Sequence, residues 1–111
     1  MSRTWSNMTA AELGAEIGKG RINAVELTEF FLEKISIHPL STRIYARATP
    51  ARARGEAMGA AARAKAGQRR GLLDGVPISW KDLFDTAGIA TEAGSALLQG
   101  RTPEQDAAVL Q

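Results

Sequence analysis

Apolar residues recur at helical spacing over the first third of the chain. Thr9-Ala10-Ala11-Glu12 has the form of a capping box, in which the threonine hydroxyl and the glutamate three residues on satisfy each other's orphan backbone N–H groups. It predicts a short helix with Leu13 and Ile17 four apart, stopping near Gly18 to Gly20. Asn23-Ala24-Val25-Glu26 is a second start signal, with asparagine as the cap and an acid in the first turn. From there Ala24, Leu27, Phe31 and Ile35 form an apolar stripe, widened by Phe30 and Leu32, while Glu26, Glu29 and Glu33 fill the other side. The helix ends before Pro39, because a residue preceding proline disfavours helical angles. Its aromatic residues are packing and need no cofactor. His38, at the helix end, reads as a surface or capping histidine rather than a catalytic one.

Beyond Pro39 the periodicity changes. Arg43 to Arg47 alternates around Ile44 and Tyr45 and predicts a short strand. Thr49-Pro50 then opens a helix, a hydroxyl cap followed by proline at the first helical position, with Gly67 as its stop. Ala53, Ala57, Ala60, Ala61 and Ala64 fall on one face, a small-residue stripe that lets a helix pack close to a sheet. Asp74-Gly75 is a turn signal, and Val76 to Trp80 is an apolar run broken only by Ser79, as in a buried strand. Pro77 suits the start of such a strand, where a missing N–H costs least. Pro103 to Leu110, capped by Thr102, predicts a last helix with Ala107, Ala108, Val109 and Leu110 turned inward. The order implies an α/β fold, N-terminal helices leading into a mixed sheet covered by helices.

Composition narrows the chemistry. At 111 residues the chain makes at most one modest domain, short for a complete mixed-sheet enzyme. The absence of cysteine removes disulfides, a thiolate nucleophile and Cys-based metal sites, and a single histidine argues against a His-rich metal cluster. No metal site and no cofactor are expected. Met1 to Ala11 is too polar for a signal peptide, and no apolar stretch reaches the length of a membrane span, so a cytoplasmic protein is expected. Net charge is +2, yet between Ser41 and Arg70 eight basic residues meet one acid, Glu56. Such a run can be a nucleic-acid footprint. Here Arg52 and Arg63 lie on one flank of the alanine face and Arg54 and Lys65 on the other, which favours a solvated rim over a nucleic-acid surface. Base stacking also needs aromatics, and Tyr45 is the only one in the run.

The densest chemical signal is the string DGVPISWKDLFDTAGIATEAGS, Asp74 to Ser95. Lys81-Asp82 follows directly on the predicted strand, at the C-terminal end where open α/β sheets bind ligands. Gly88 and Gly94, with Thr86, Thr91 and Ser95, make a loop able to approach a substrate with N–H groups and hydroxyls. A lone Lys-Asp pair at such a place is ordinarily a solvated charge pair. In context, Asp74-Gly75, Pro77, Lys81-Asp82, Asp85-Thr86, Gly88, Thr91 and Gly94-Ser95 fall in one register that resembles the lysine motif of the amidase signature hydrolases. Trp80 is bulkier than the aliphatic residue usual in that family, and Glu92 also departs from its habit.

The resemblance implies a small-molecule amide substrate and a Ser-cisSer-Lys triad in which Lys81 is the proton acceptor; the substrate-binding residues stay unassigned. A neutral amine is required, so burial must lower the lysine pKa from its ordinary value of about 10.4. Asp82 is expected to organise the loop, since a charge partner at Lys81 opposes the role of base. The family places its serines further along than Ser95, in a Gly-Gly-Ser-Ser stretch that these residues lack. Residues 1–111 therefore read as the N-terminal part of a single amidase signature domain without its catalytic serine region. An amidase is expected, with the glutaminase-type component of a tRNA-dependent amidotransferase, or a non-catalytic module with a basic helix, as alternatives.

Overall fold

The capping box closes as the sequence predicts: the Glu12 N–H donates to Thr9 Oγ1 at 3.1 Å and the Thr9 N–H to Glu12 Oε1 at 3.0 Å. It starts α1, Ala10–Gly18, in a computed structural model that describes residues 2–111, with side chains from Thr4 onward. The chain divides into two units, one running to Pro77 and one from Ile78 to Gln111.

In the first unit a 3-10 helix, Ser2–Asn7, precedes α1. Asn23 caps α2, Ala24–Ile37, by accepting from the Val25 and Glu26 N–H groups at 2.8 and 3.3 Å. One-turn α3, Ser41–Ile44, and α4, Pro50–Lys65, follow. Both α1 and α4 end in a paired 6→1 and 5→2 closure, with Arg21 to Glu16 and Gly20 to Ile17 in the first, and Gln68 to Arg63 and Gly67 to Ala64 in the second. Leu13, Ile17, Ile22 and Leu27 form the core, and Trp5, Met8, Phe31, Ala64 and Val76 pack against it. The alanine stripe is real, with Ala57 and Ala60 buried, but it packs on α2 rather than on a sheet. Thr49 makes no side-chain cap, so Pro50 alone sets the entry to α4. His38 is the C-cap of α2, its backbone N–H donating to the Lys34 carbonyl at 3.1 Å, while its Nδ1 accepts from the Leu40 N–H at 3.1 Å.

The predicted strand at Arg43–Arg47 does not form: Arg43 and Ile44 end α3, and Tyr45, Ala46 and Arg47 are irregular. Ser41 Oγ donates to the Ile35 carbonyl, the Ile44 N–H to Leu40 at 3.0 Å and the Tyr45 N–H to Ser41 at 2.8 Å. Without a neighbouring strand, Arg43, Ile44 and Tyr45 satisfy their N–H groups locally instead. Val76–Trp80 is likewise irregular, and the single β pairing among the described residues is the bridge Thr86–Ile89.

Residues of the basic run engage in internal contacts. Arg54 forks onto Glu29, Arg52 meets Glu56 at 3.3 Å and Arg63 forks onto Asp74.

The second unit is mostly loop. Two 3-10 turns, Ala96–Leu98 and Ala108–Leu110, are its helical elements among the described residues. The predicted helix Pro103–Leu110 is confined to that last turn, because the Ala107 N–H donates to the Asp85 carbonyl at 2.8 Å and Asp106 Oδ1 accepts from the Ala87 N–H at 2.9 Å. Thr102 Oγ1 donates to the Gly100 carbonyl rather than capping, and Val109 stays exposed.

Candidate active site

Lys81 sits in irregular backbone with its side chain exposed. Its carbonyl accepts from the Leu83 N–H at 2.7 Å and the Phe84 N–H at 3.2 Å, a tight turn that carries the lysine on its first residue. Immediately before it, Trp80 stacks edge-on against Phe84, with centroids 5.7 Å apart. The apolar burial expected around the amine is not found in this unit: Ile78, Trp80 and Leu83 are all exposed. A desolvated amine needs a cover that these flanking residues do not supply.

Asp82 has the organising role expected of it. Its Oδ1 accepts from the Glu92 N–H at 3.3 Å, and Glu92 Oε2 in turn accepts from the Gly100 N–H at 2.7 Å. Glu92, a departure from the family's usual residue, is thus a strut of the loop. Asp85 anchors the far side. Both of its carboxylate oxygens face the Arg101 guanidinium at 2.8 Å, and this forked bond holds the Asp85 carboxyl below the usual range. Arg101 also reaches the Thr91 carbonyl at 3.4 Å, while its own carbonyl accepts from the Thr91 N–H at 2.9 Å.

The loop was expected to offer N–H groups and hydroxyls to a substrate. Instead the Gly88 N–H donates to Pro103, Thr91 N–H to Arg101 and Ser95 N–H to Glu92. The hydroxyls of Thr86 and Thr91 lie against the Phe84 and Ile89 carbonyls. Asp85 and Thr91 therefore shape the loop that carries Lys81, and Ser95 gains no base beside it from these contacts. Sequence reasoning missed Arg101 entirely. Nothing in its local pattern distinguishes it from any exposed arginine.

The first half of the motif lies in the first unit. Asp74 accepts from Arg63 Nε and Nη2 at 2.8 Å each and from the Arg70 N–H at 3.0 Å. The Arg63 guanidinium, foremost, pulls the Asp74 carboxyl down to about 2, against a smaller opposing push from burial. Gly75 has a φ of +101°, a region that residues with a Cβ rarely enter, and Val76 packs into the core. Among the described residues no group of three or more His, Cys, Asp or Glu could hold a metal ion. No helix among them is long and apolar enough to cross a membrane.

In this chain a carboxylate-braced loop carries Lys81, and the Asp74-Gly75 turn precedes it in sequence. The profile of the Amidase family matches residues 26–111, and the chain belongs to this family, the amidase signature hydrolases. Among curated proteins it is similar to the A-type subunit of the glutamyl-tRNA(Gln) amidotransferase of Anaeromyxobacter dehalogenans, 41% identical over 100 residues that make up 90% of this chain and 20% of the relative. The protein of the same name from Sinorhizobium fredii is 37% identical over 106 residues, 96% of this chain and 21% of the relative. That from Streptomyces coelicolor is 35% identical over 102 residues, 92% and 20%. The chain thus spans about a fifth of the length of the curated relatives it matches. No solved structure matches it significantly.

Proposed function

We propose that this chain supplies the proton-accepting lysine, Lys81, of a cytoplasmic amidase that cleaves the C–N bond of a carboxylic amide without metal or cofactor. The observation that supports the proposal is the register of Asp74 to Ser95, a string with Lys81-Asp82 within it that resembles the family's lysine motif. In the reaction a serine oxygen attacks the amide carbon, its proton passing through a second serine, held by a cis peptide bond, to the lysine amine. The C–N bond then breaks, the amine leaves with a proton, and water hydrolyses the serine ester. No Gly-Gly-Ser-Ser stretch occurs in these 111 residues, so the chain by itself is proposed to be inactive. Val76–Trp80 is proposed to join a mixed sheet in the active enzyme, which would cover the exposed flank of Lys81 and favour its neutral form.

A second reading is favoured by the relatives, whose printed names are those of glutamyl-tRNA(Gln) amidotransferase subunits. On it the same lysine serves a glutaminase that draws ammonia from glutamine within a larger assembly. Ammonia release by the full-length protein, assayed alone on simple amides and on glutamine, separates the two. Turnover of simple amides without partner proteins, lost in Lys81→Ala, supports the amidase. Glutamine turnover only with partner proteins supports the amidotransferase, and unchanged turnover in Lys81→Ala overturns the role of the lysine in both.

A further inference from the structure

The polar cluster around Asp74 is larger than a connecting turn requires. Arg63 grips both carboxylate oxygens from α4, and the Asp74 side chain is only 9% exposed. Arg69 adds a second clamp: its Nη2 lies 2.9 Å from the Gly14 carbonyl on α1, 2.9 Å from that of Leu72 and 3.1 Å from that of Asp74. The guanidinium is held there although its Nε is buried without a hydrogen-bond partner, an arrangement that costs stability. Apolar contacts close the same seat. A Cβ on Gly75 would stand 3.1 Å from Ala24 Cβ and 3.3 Å from Ile17 Cδ1, and one on Gly14 would fall 2.0 Å from the Leu72 oxygen. The turn at 72–76 is therefore fastened to α1, α2 and α4 from both its polar and its apolar side.

We infer that Arg63 and Arg69 are positioning residues for Lys81, fixing the point from which the chain delivers the lysine; the inference rests on the role proposed for Lys81. With Val76 in the core and Pro77 restricting its own φ, the free length begins at Ile78. Four residues then carry Lys81 at most about 13 Å from the anchor. Loss of the arginine clamps leaves only the apolar side of the seat, Gly75 against Ile17 and Ala24 with Val76 in the core, to hold the start of that leash. Catalytic groups tolerate little such slack, since a displacement of about 1 Å can cost on the order of 100-fold in rate.

The test is a kinetic split in the full-length protein, comparing Arg63→Lys and Arg69→Lys with Lys81→Ala. Lysine keeps the charge and loses the fork. The expected result is a kcat about tenfold lower in each arginine variant with KM within twofold, and no turnover in Lys81→Ala. Unchanged kcat in both arginine variants beside a dead Lys81→Ala overturns the positioning role alone, whereas full turnover in Lys81→Ala overturns the underlying proposal first. Hydrogen exchange in the 111-residue chain provides a readout independent of activity. Arg63→Lys should accelerate the Leu83 and Phe84 amides about fivefold, and more than it accelerates those of Leu13 and Leu27. Equal acceleration of all four would mark a purely structural role and overturn the inference, as would no change at Leu83 and Phe84.

Discussion

The two units are held together by different physics. To Pro77 the chain is a set of capped helices around an apolar core of Leu13, Ile17, Ile22 and Leu27, to which the Arg63–Asp74 and Arg69 clamps are added. From Ile78 onward, carboxylates and carbonyls stitch a loop across ten to nineteen residues, and Ile78, Leu83, Leu97 and Val109 remain exposed. The difference teaches where order and chemistry reside. A helical body can sustain rigidity on its own, whereas the segment with the lysine keeps its shape through polar struts and leaves its apolar surface open.

Leu27→Ala should have the largest effect. Leu27 is fully buried, so its truncation is expected to cost about 3 kcal/mol in denaturant unfolding of the helical unit and to leave exchange at Gly88 and Thr91 in the loop unaltered. Equal loosening of both units would erase the distinction between them.

Asp74 comes next. Its folded pKa of about 2 lies below the ordinary 3.8, so its stabilisation is fully present above about pH 4 and is lost as the pH falls toward 2. The shift corresponds to about 2 kcal/mol. Acid titration followed by circular dichroism should show a larger loss in the parent than in Asp74→Asn, which starts from the lower stability at neutral pH. Thr9→Ala removes one cap and should cost about 1 kcal/mol, read as a lower helical melting temperature. Asp85→Asn should have the smallest global effect: faster exchange at Ala107, Thr91 and Gly88, with α1 to α4 unmoved. A drop in helical stability in Asp85→Asn would show that the loop braces the body.

What the sequence disclosed follows the same division. Thr9, Asn23 and the stripes of α1, α2 and α4 were legible because each interaction spans a turn or two of helix, and period and cap chemistry encode it directly. The strand expected at Arg43–Arg47 failed because strand pairing depends on a second segment, which alternation alone does not specify. Lys81 stood out only through the register of a long string, while its exposure could not be foreseen from an apolar run. Arg63–Asp74, eleven apart, and Asp85–Arg101, sixteen apart, join ordinary charged residues whose partners no local spacing reveals. Asp82 was the exception, placed correctly as a loop organiser because a carboxylate next to the lysine would oppose its acting as a base.

The fastening of Asp74-Gly75 also bears on how this motif can be moved between proteins. Its first residues complete a helical junction through Ile17, Ala24, Ala60 and Arg63, so the string from Asp74 to Ser95 is not a self-contained cassette. Grafted alone onto a foreign scaffold, it would bring the lysine without its mooring. A transplant cut upstream of α1 would carry both.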